Sequence, residues 1–475
     1  MDTNFFKDAL ATVDSGYNYL LVIILVLGGL YFFIRTKFAP ITMLREQIRA
    51  VTERPKDKSG VSSFSALMVS TASRVGTGNI IGVSVAICTG GFGAVFWMWL
   101  FAIIGSASAF VESTLAQIFK KRGAEGSYGG PAYYIETALK CRPLAIIFSV
   151  ILILTYGVGF NMLASYNLQS TFSSYGLYEK FPDIAPWVIG FIVAALVCYC
   201  LFGGGKRMLR LTGILVPVMG IIYIVVALII ICINITALPY VFKRIFTDAF
   251  DFTAIFGGFA GSCLYQGLMR GLFSNEAGVG SAPNASASAD VSHPAKQGLV
   301  QVLSVFIDTL LICSASAFMC MTSGVEPSAD IKGAPYVQQS LEASLGGFGP
   351  IFITVAMVLF AFTTLIGNLY YVNQAFNHIF KKLPSKRFLT VYYIVASLLI
   401  FVGAGLQADA LWKIADVLMG LMIIINMPVI CIIGKYAFRA LKDYRKKRKL
   451  TKKTGGDITF SAKDIELPFD VDYWK

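Results

Sequence analysis

Long apolar segments alternate with short polar segments along the 475-residue chain. Each apolar segment is close to or longer than the roughly 20 residues that a helix needs to cross the hydrocarbon core of a bilayer. The pattern therefore predicts an all-α membrane protein with eleven transmembrane helices. The predicted spans are residues 18–34, 62–88, 92–119, 143–172, 185–202, 211–236, 253–281, 298–322, 349–380, 387–405 and 411–434.

The composition agrees with this pattern. Hydrophobic residues make up 56% of the chain and charged residues only 14%, whereas soluble domains carry about 25% charged residues. A soluble enzyme and a disordered chain are therefore excluded. The sequence has no GxxxxGK[ST] phosphate-binding motif, and its two histidines cannot form a multi-histidine metal site. We expect neither an enzyme nor an ATP-driven pump, and no cofactor.

The basic residues predict the orientation. Basic residues outnumber acidic ones in five stretches: seven to three in 35–58, five to two in 120–142, three to none in 203–210, four to none in 381–387 and ten to one in 435–453. With eleven spans these stretches share one side, which the positive-inside rule assigns to the cytoplasm. We expect a cell-membrane protein with the N-terminus outside and the C-terminus inside. The net charge of +13 then reflects orientation rather than nucleic-acid binding.

The C-terminal residues 435–475 are predicted to form a cytoplasmic tail. Its basic segment, Arg445–Lys449, is expected to contact anionic membrane lipid. The residues beyond Lys453 are acidic overall, and we expect them to form a soluble, disordered end.

Glycines and polar residues interrupt two of the predicted spans, at residues 74–82 and 270–280. Interrupted helices persist within a membrane only where they are buried in protein or line a cavity. Close packing of helices through small residues is the alternative explanation. Such packing does not require Asn79 and Glu276 beside the glycines.

The two breaks lie in the second and seventh spans, five spans apart. Paired interrupted segments at corresponding positions of two halves are typical of a transporter binding site. We therefore predict a leucine-transporter-type core of two inverted five-helix repeats, residues 62–236 and 253–434. Residues 1–61 supply one extra N-terminal helix and a basic loop.

Three blocks of sequence resemble the sodium:alanine symporter family, the alanine or glycine:cation symporters. They are residues 75–80, 90–99 and 273–283, and His293-Pro294, Gln297-Gly298 and Asp308-Thr309 continue the similarity. The resemblance implies import of a small neutral amino acid driven by Na+ or, less often, H+. Of the positions that differ from most members, two lie where the family's substrate pocket is expected: most members carry Trp where this chain has Asn368 and Gln where it has Ala164. These differences imply a larger or differently polar pocket.

An amino-acid substrate needs donors for its carboxylate and acceptors for its ammonium group. The N-termini of half-helices supply free N–H groups and a partial positive charge. We expect backbone at Thr77, Gly78 and Asn79 to bind the carboxylate, and carbonyls near Phe273 and Ser274 to bind the ammonium group. The full set of candidate substrate residues is Gly76, Thr77, Gly78, Asn79, Phe273, Ser274, Asn275, Glu276, Gly278 and Asn368.

Two alternatives remain open for the polar side chains. Asn79 either orients the substrate carboxylate with its side chain or is a polar packing residue. Glu276 would serve as a gate, as a partner for Arg74 or Arg270, or in a proton step, or it would only cap exposed N–H groups.

Analogy with the fold implies a Na+ site between the first broken helix and the third span of the second repeat. Its ligands would be the carbonyls of Ala72 and Val75 and the side chains of Thr363 and Thr364. Each threonine hydroxyl would otherwise bond back to a carbonyl of its own helix.

The sequence thus favours Na+-coupled import of alanine, glycine or serine by alternating access. An H+-coupled carrier, or a carrier of a larger polar substrate such as glutamine, is the first alternative. A channel is disfavoured because channels need rings of filter segments, usually from several subunits. A membrane-bound sensor is disfavoured because the segment after Lys453 is too short for a signalling domain.

Overall fold

A computed structural model describes residues 3–53, 55, 60–123, 126–251, 262–381, 384–454 and 458–474. The first part of the chain contains α1 (Thr3–Arg35), α2 (Ala39–Thr42), α3 (Leu44–Val51), α4 (Ser63–Arg74), α5 (Ile81–Gly90) and α6 (Gly93–Ile118). Next come β1 (Lys121–Gly123), β2 (Gly126–Tyr128), α7 (Pro131–Ala138), α8 (Arg142–Leu154), α9 (Phe160–Ser170), α10 (Gly176–Lys180), α11 (Ala185–Leu201) and α12 (Gly204–Ile233).

The described residues of the second part form helices and no strands. The helices are α13 (Leu238–Ala249), α14 (Cys263–Asn275), α15 (Pro283–Ser286), α16 (Pro294–Val305), α17 (Ser314–Met321), α18 (Ala334–Leu345), α19 (Phe348–Phe380), α20 (Lys386–Ala404) and α21 (Ala408–Thr454). Five-residue and eight-residue π-helical segments join α8 to α9 and α16 to α17. Strands β1 and β2 form one antiparallel hairpin.

Eight helical stretches among the described residues are long and apolar enough to cross a membrane. They coincide with the predicted spans 18–34, 92–119, 143–172, 211–236, 298–322, 349–380, 387–405 and 411–434. Helix α11 is a shorter apolar helix, and the spans predicted at 62–88 and 253–281 are interrupted. Residues 253–261 of the latter lie outside the described part. The number eleven and the five-plus-five repeat remain predictions.

Apolar side chains cover the outside of the bundle as well as its core. Ile23, Leu27 and Ile34 of α1 and Ile221 and Leu228 of α12 are exposed. A contiguous exposed apolar surface of this kind is what lipid contact requires. Helix α6 is central, since it packs on α1, α14, α16 and α21.

The C-terminal region differs from the expectation of a disordered end. Helix α21 continues to Thr454, twenty residues beyond the predicted span. Residues 458–474 then pack against the bundle. Within the basic segment, Arg445 donates to the carbonyl of Thr36 and Arg448 pairs with Glu46. These two cations are thus engaged with protein, although lipid was their expected partner.

Candidate functional site

The first break separates α4 from α5, with a 3-10 turn at Thr77–Asn79 between them. Gly76 N–H donates to Asn79 Oδ1 (2.8 Å), not to the carbonyl of Ala72 four residues earlier. Asn79 N–H donates to Gly76 O (3.2 Å), not to Val75 O. The carbonyls of Ala72 and Val75 are thereby left out of the helical hydrogen-bond pattern.

The side chain of Asn79 connects the two breaks through Asp308. Asn79 Nδ2 donates to Asp308 Oδ1 (2.7 Å), while Ser274 and Thr309 donate to Asp308 Oδ2 (2.8 and 2.9 Å). Asp308 lies in the π-helical segment that precedes α17, a type of distortion found frequently at functional sites. The amide of Asn79 is thus bonded within the protein, which supports the packing alternative for this side chain.

The second break follows α14. Glu276 adopts a left-handed conformation (φ 52°), and Gly278 and Gly280 have φ values of 85° and 91°. Glycine adopts these angles without the steric cost that a Cβ atom imposes. The chain therefore leaves the helix sharply at Asn275 and becomes helical again only at Pro283.

The second break also frees carbonyls. Ala277 N–H donates to Asn275 Oδ1 (3.1 Å), and Gly278 N–H donates to a buried carboxylate of α6 (3.4 Å). In a continuous helix these two groups would donate to Phe273 O and Ser274 O. Both carbonyls lie at the C-terminal end of α14, where the helix dipole favours a cation.

Glu276 is held by hydroxyl groups. Its Oε2 accepts from Ser281 Oγ (2.6 Å), and its Oε1 accepts from Ser73 Oγ (3.3 Å). Arg74 donates instead to a glutamine of α16, and Arg270 pairs with a carboxylate of α21. Among the described residues, neither arginine forms an ion pair within 4 Å with Glu276 in this conformation. Its capping alternative is also not what the structure contains, since the carboxylate receives side-chain hydroxyls.

The two threonines of the predicted Na+ site behave differently. Thr363 Oγ1 donates to the carbonyls of Leu359 and Phe360 (2.9 and 3.0 Å), so it bonds back within its helix. Thr364 Oγ1 is buried and has no hydrogen-bond partner among the described residues. A methyl group on Gly76 would overlap Thr364 Oγ1, so this hydroxyl faces the first break.

The two positions that differ from the family lie in different surroundings. Asn368 is fully buried, accepts from Ser73 Oγ (2.7 Å) and donates to Asn161 Oδ1 (2.9 Å). It lies behind Ser73 and does not line the central cavity. Ala164 does line this cavity, together with Leu163. Of these two positions, Ala164 therefore faces the cavity directly, whereas Asn368 is connected to it through Ser73.

A small cavity of about 20 Å³ lies between the two breaks, with room for about one water molecule. A much larger vestibule of about 550 Å³ lies above it, on the side where α21 begins. The cavity is lined by Ser73, Arg74, Gly76, Thr77, Gly78, Phe160, Leu163, Ala164, Phe273, Glu276 and Thr364. Of the candidate substrate residues, Asn79, Ser274, Asn275, Gly278 and Asn368 are absent from this lining.

Aromatic rings separate the cavity from the vestibule. Phe273 packs on Phe160 and on Trp412, with ring centroids 4.6 and 4.9 Å apart. The Arg270 guanidinium lies 4.5 Å from the centre of the Trp412 ring and pairs with Asp416 (2.6 Å). These five residues form a lid over the cavity.

Neutralising Asp416 is expected to weaken the lid. The substitution Asp416→Asn removes the charge pair with Arg270 but keeps the size of the side chain. The Asp416 side chain is only 20% exposed, so the pair is largely buried. Loss of one partner of a largely buried pair costs several kcal/mol. We expect a bound amino acid to dissociate about tenfold faster or more, measured by dilution of preloaded protein.

The control for this variant is Asp409→Asn. Asp409 pairs with Lys332 at the mouth of the vestibule, where both side chains are well exposed. Exposed pairs contribute little. Equal dissociation rates for the two variants would contradict the assignment of the lid.

Sequence reasoning missed the lid partners. Neither Trp412 nor Phe160 is among the site residues that the sequence singled out. The sequence does point to Asp416, because an acidic residue inside an apolar span is by default a candidate functional residue. The identity of its partner, Arg270, depends on how α14 and α21 approach each other.

The chain matches a family model from residue 3 to residue 457. That model describes the sodium:alanine symporter family. The chain belongs to the sodium:alanine symporter family. It is therefore a multi-pass membrane transport protein, and the resemblance of its three sequence blocks is confirmed.

Several relatives match over nearly their whole length. The amino-acid carrier protein AlsT of Bacillus subtilis is 41% identical over 471 residues, which is 99% of this chain and 98% of AlsT. The probable sodium/glutamine symporter GlnT of the same organism is 41% identical, over 97% of this chain and 94% of GlnT. The sodium/alanine symporter AgcS of Methanococcus maripaludis is 32% identical, over 94% and 98%.

Solved structures share the fold at low sequence identity. MhsT in complex with L-phenylalanine superimposes with a TM-score of 0.54 at 16% identity, covering 81% of this chain and 92% of MhsT. A Na+-coupled sialic acid symporter gives 0.52 at 14% identity, covering 94% and 93%. The predicted leucine-transporter-type fold is thereby confirmed.

Proposed function

We propose that this symporter couples Na+ entry to the import of a small neutral amino acid, alanine, glycine or serine, by alternating access. The observation that carries the proposal is the pair of helix breaks that face one closed cavity beneath an open vestibule. The cavity is too small for an amino acid in this conformation, so binding requires the lid to move. We further propose that the N-terminus is outside and the C-terminus cytoplasmic.

The substrate would bind by its charged groups to backbone at the two breaks. The N–H groups of Thr77 and Gly78 lie in the first turn after the first break, where no earlier helical carbonyl accepts from them. They would hold the carboxylate. The carbonyls of Phe273 and Ser274 would hold the ammonium group. Neither interaction needs a buried counter-charge, whose desolvation would be costly.

Na+ would bind beside the substrate. Hard cations prefer oxygen ligands, including backbone carbonyls. The carbonyls of Ala72 and Val75, which the first break leaves out of the helical pattern, and the hydroxyl of Thr364, which faces Gly76, would supply three such oxygens. Thr363 is already bonded within its helix. Because Gly76 adjoins the substrate-binding turn, an ion there stabilises the geometry that the amino acid needs. Such linkage is reciprocal.

Uptake into proteoliposomes tests this function. With Na+ outside, labelled alanine should accumulate above its equilibrium level, because the inward Na+ gradient supplies the free energy. Replacing Na+ by choline at fixed pH should reduce uptake to that of empty vesicles. Uptake that is driven by a pH gradient and is unchanged when choline replaces Na+ would establish H+ coupling. Purely downhill flux would establish a channel.

Glutamine is the second candidate substrate. Ala164 leaves space in the cavity lining where most members carry Gln, and one relative that is 41% identical is described as a probable sodium/glutamine symporter. A competition panel of all twenty amino acids against labelled alanine distinguishes the candidates. Stronger competition by unlabelled glutamine than by serine and glycine would favour this alternative.

A further inference from the structure

The chain end after α21 lies at the end of the bundle opposite the vestibule, which we call the tail end. Residues 458–474, which we call the strap, run back along α21. Lys447 Nζ donates to Asp464 Oδ2 (2.7 Å), and Arg439 Nη1 donates to Ile465 O (3.1 Å). The side chain of Ile465 is buried. The strap is therefore anchored on α21 at Asp464 and Ile465.

The last two described residues of the strap leave α21 and bind other elements. Trp474 is 7% exposed, and its Nε1 donates to Gln117 O (2.6 Å) at the end of α6. Tyr473 Oη donates to Asp290 Oδ1 (3.1 Å), and its ring centre lies 3.8 Å from Lys120 Nζ. Chain ends usually fray unless specific contacts hold them. Here a buried indole and a phenol provide those contacts.

The elements that the strap binds also hold the broken helices at the tail end. Gln117 Nε2 and Lys120 Nζ both donate to Ala289 O (2.9 and 2.8 Å). The next residue, Asp290, donates its N–H to Val61 O (2.8 Å), just before α4 begins. The residues that precede α4 and those that follow α15 are thus joined to each other and to the end of α6, beside Tyr473 and Trp474.

We propose that the strap holds the tail end of the translocation path closed and must release α6 and Asp290 before the path opens to that side. The proposal rests on the transport function proposed above. Opening requires the interrupted segments to move relative to the rest of the bundle. Because the strap is fixed to α21, displacement of residues 289–290 away from α21 breaks its contacts. Contacts present in only one conformation favour that conformation by their own free energy.

Point variants of the full-length chain test the strap. Trp474→Ala removes the buried indole, and Tyr473→Phe removes only the hydrogen bond to Asp290. Asp470→Ala is the matched control, because Asp470 is an exposed residue of the same segment. The reporter is Ser288→Cys, next to the joined ends, and labelling of its thiol by a water-soluble maleimide is followed at that site by mass spectrometry.

We expect Trp474→Ala to speed labelling at position 288 at least about fivefold, since losing a buried aromatic contact and its hydrogen bond shifts the closed state by at least 1 kcal/mol. Tyr473→Phe should give a smaller increase, and Asp470→Ala none. The Na+ concentration for half-maximal uptake should rise by the same order, because fewer molecules occupy the conformation that binds external Na+.

Two results would overturn the proposal. One is an unchanged labelling rate at position 288 in Trp474→Ala when faster cleavage by trypsin shows that the strap has been released. That result would mean that release of the strap does not open the path. The other is faster labelling with an unaltered Na+ requirement, which would mean that the strap only packs locally. Failure of the transport proposal is recognised separately, as absence of Na+-driven uptake in the unaltered protein, and the labelling rates do not depend on it.

Discussion

Replacing Gly78 by valine should abolish Na+-driven uptake while the protein remains folded. A Cβ atom at position 78 would lie 2.9 and 3.1 Å from two ring carbons of Phe273, and valine adds two further methyl groups. Phe273 has little freedom to yield, because it is wedged between Phe160 and Trp412. The branched side chain would also cover the N–H groups proposed to bind the carboxylate. Displacement of a binding group by about 1 Å can cost on the order of 10²-fold in rate.

The measurement is the initial rate of labelled amino-acid uptake in proteoliposomes, with thermal unfolding of the purified protein as the check on folding. Gly220→Val is the matched control. Gly220 lies within α12, and a Cβ atom there would meet nothing within 4 Å. Uptake near the unaltered rate by Gly78→Val would remove the first break from the substrate site.

The positions of both breaks were predictable from sequence because the physics there is local. A membrane helix has no water to satisfy its backbone, so glycines beside Asn79 or Glu276 within an apolar span indicate an interruption. The freed carbonyls at Val75 and Ser274 follow from the same reasoning. The π-helical segment that brings Asp308 to both breaks left no such mark on the sequence.

The partners of the charged residues were not predictable. Arg74, Arg270 and Glu276 are close to the breaks in sequence, which makes a pair between Glu276 and either arginine a reasonable expectation. In the folded chain Arg270 instead meets Asp416, which is 146 residues away. Pairings of this range depend on helix packing, which a single sequence does not contain.

The strap shows where composition misleads. Its acidic character suggested a disordered end, but Phe460, Phe469, Tyr473 and Trp474 supply aromatic surface that packs against α6, α21 and His293. Aromatic side chains are scarce in disordered segments. Four of them within fifteen residues were the available signal for a packed segment.

The second large effect concerns the adjacent threonines. Thr364→Val keeps the shape of the side chain and removes a hydroxyl that faces the first break and has no hydrogen-bond partner among the described residues. A polar contact to a charged group is worth roughly 1.5–3 kcal/mol, so the Na+ concentration for half-maximal uptake should rise about tenfold or more. Titration of uptake with Na+ at constant ionic strength measures this shift.

Thr363→Val is the control that the chain itself offers. Its hydroxyl is occupied by the carbonyls of Leu359 and Phe360, which also accept helical N–H groups, so its loss should change the Na+ requirement by less than about threefold. Thermal stability adds an independent criterion. A buried hydroxyl without a partner costs stability. In the absence of Na+, Thr364→Val should therefore be at least as stable as the unaltered protein, and added Na+ should stabilise the variant less. If the Na+ requirement of Thr364→Val also changes by less than about threefold, Thr364 is excluded as a ligand. Removing a hydroxyl that binds the ion must weaken binding of the ion.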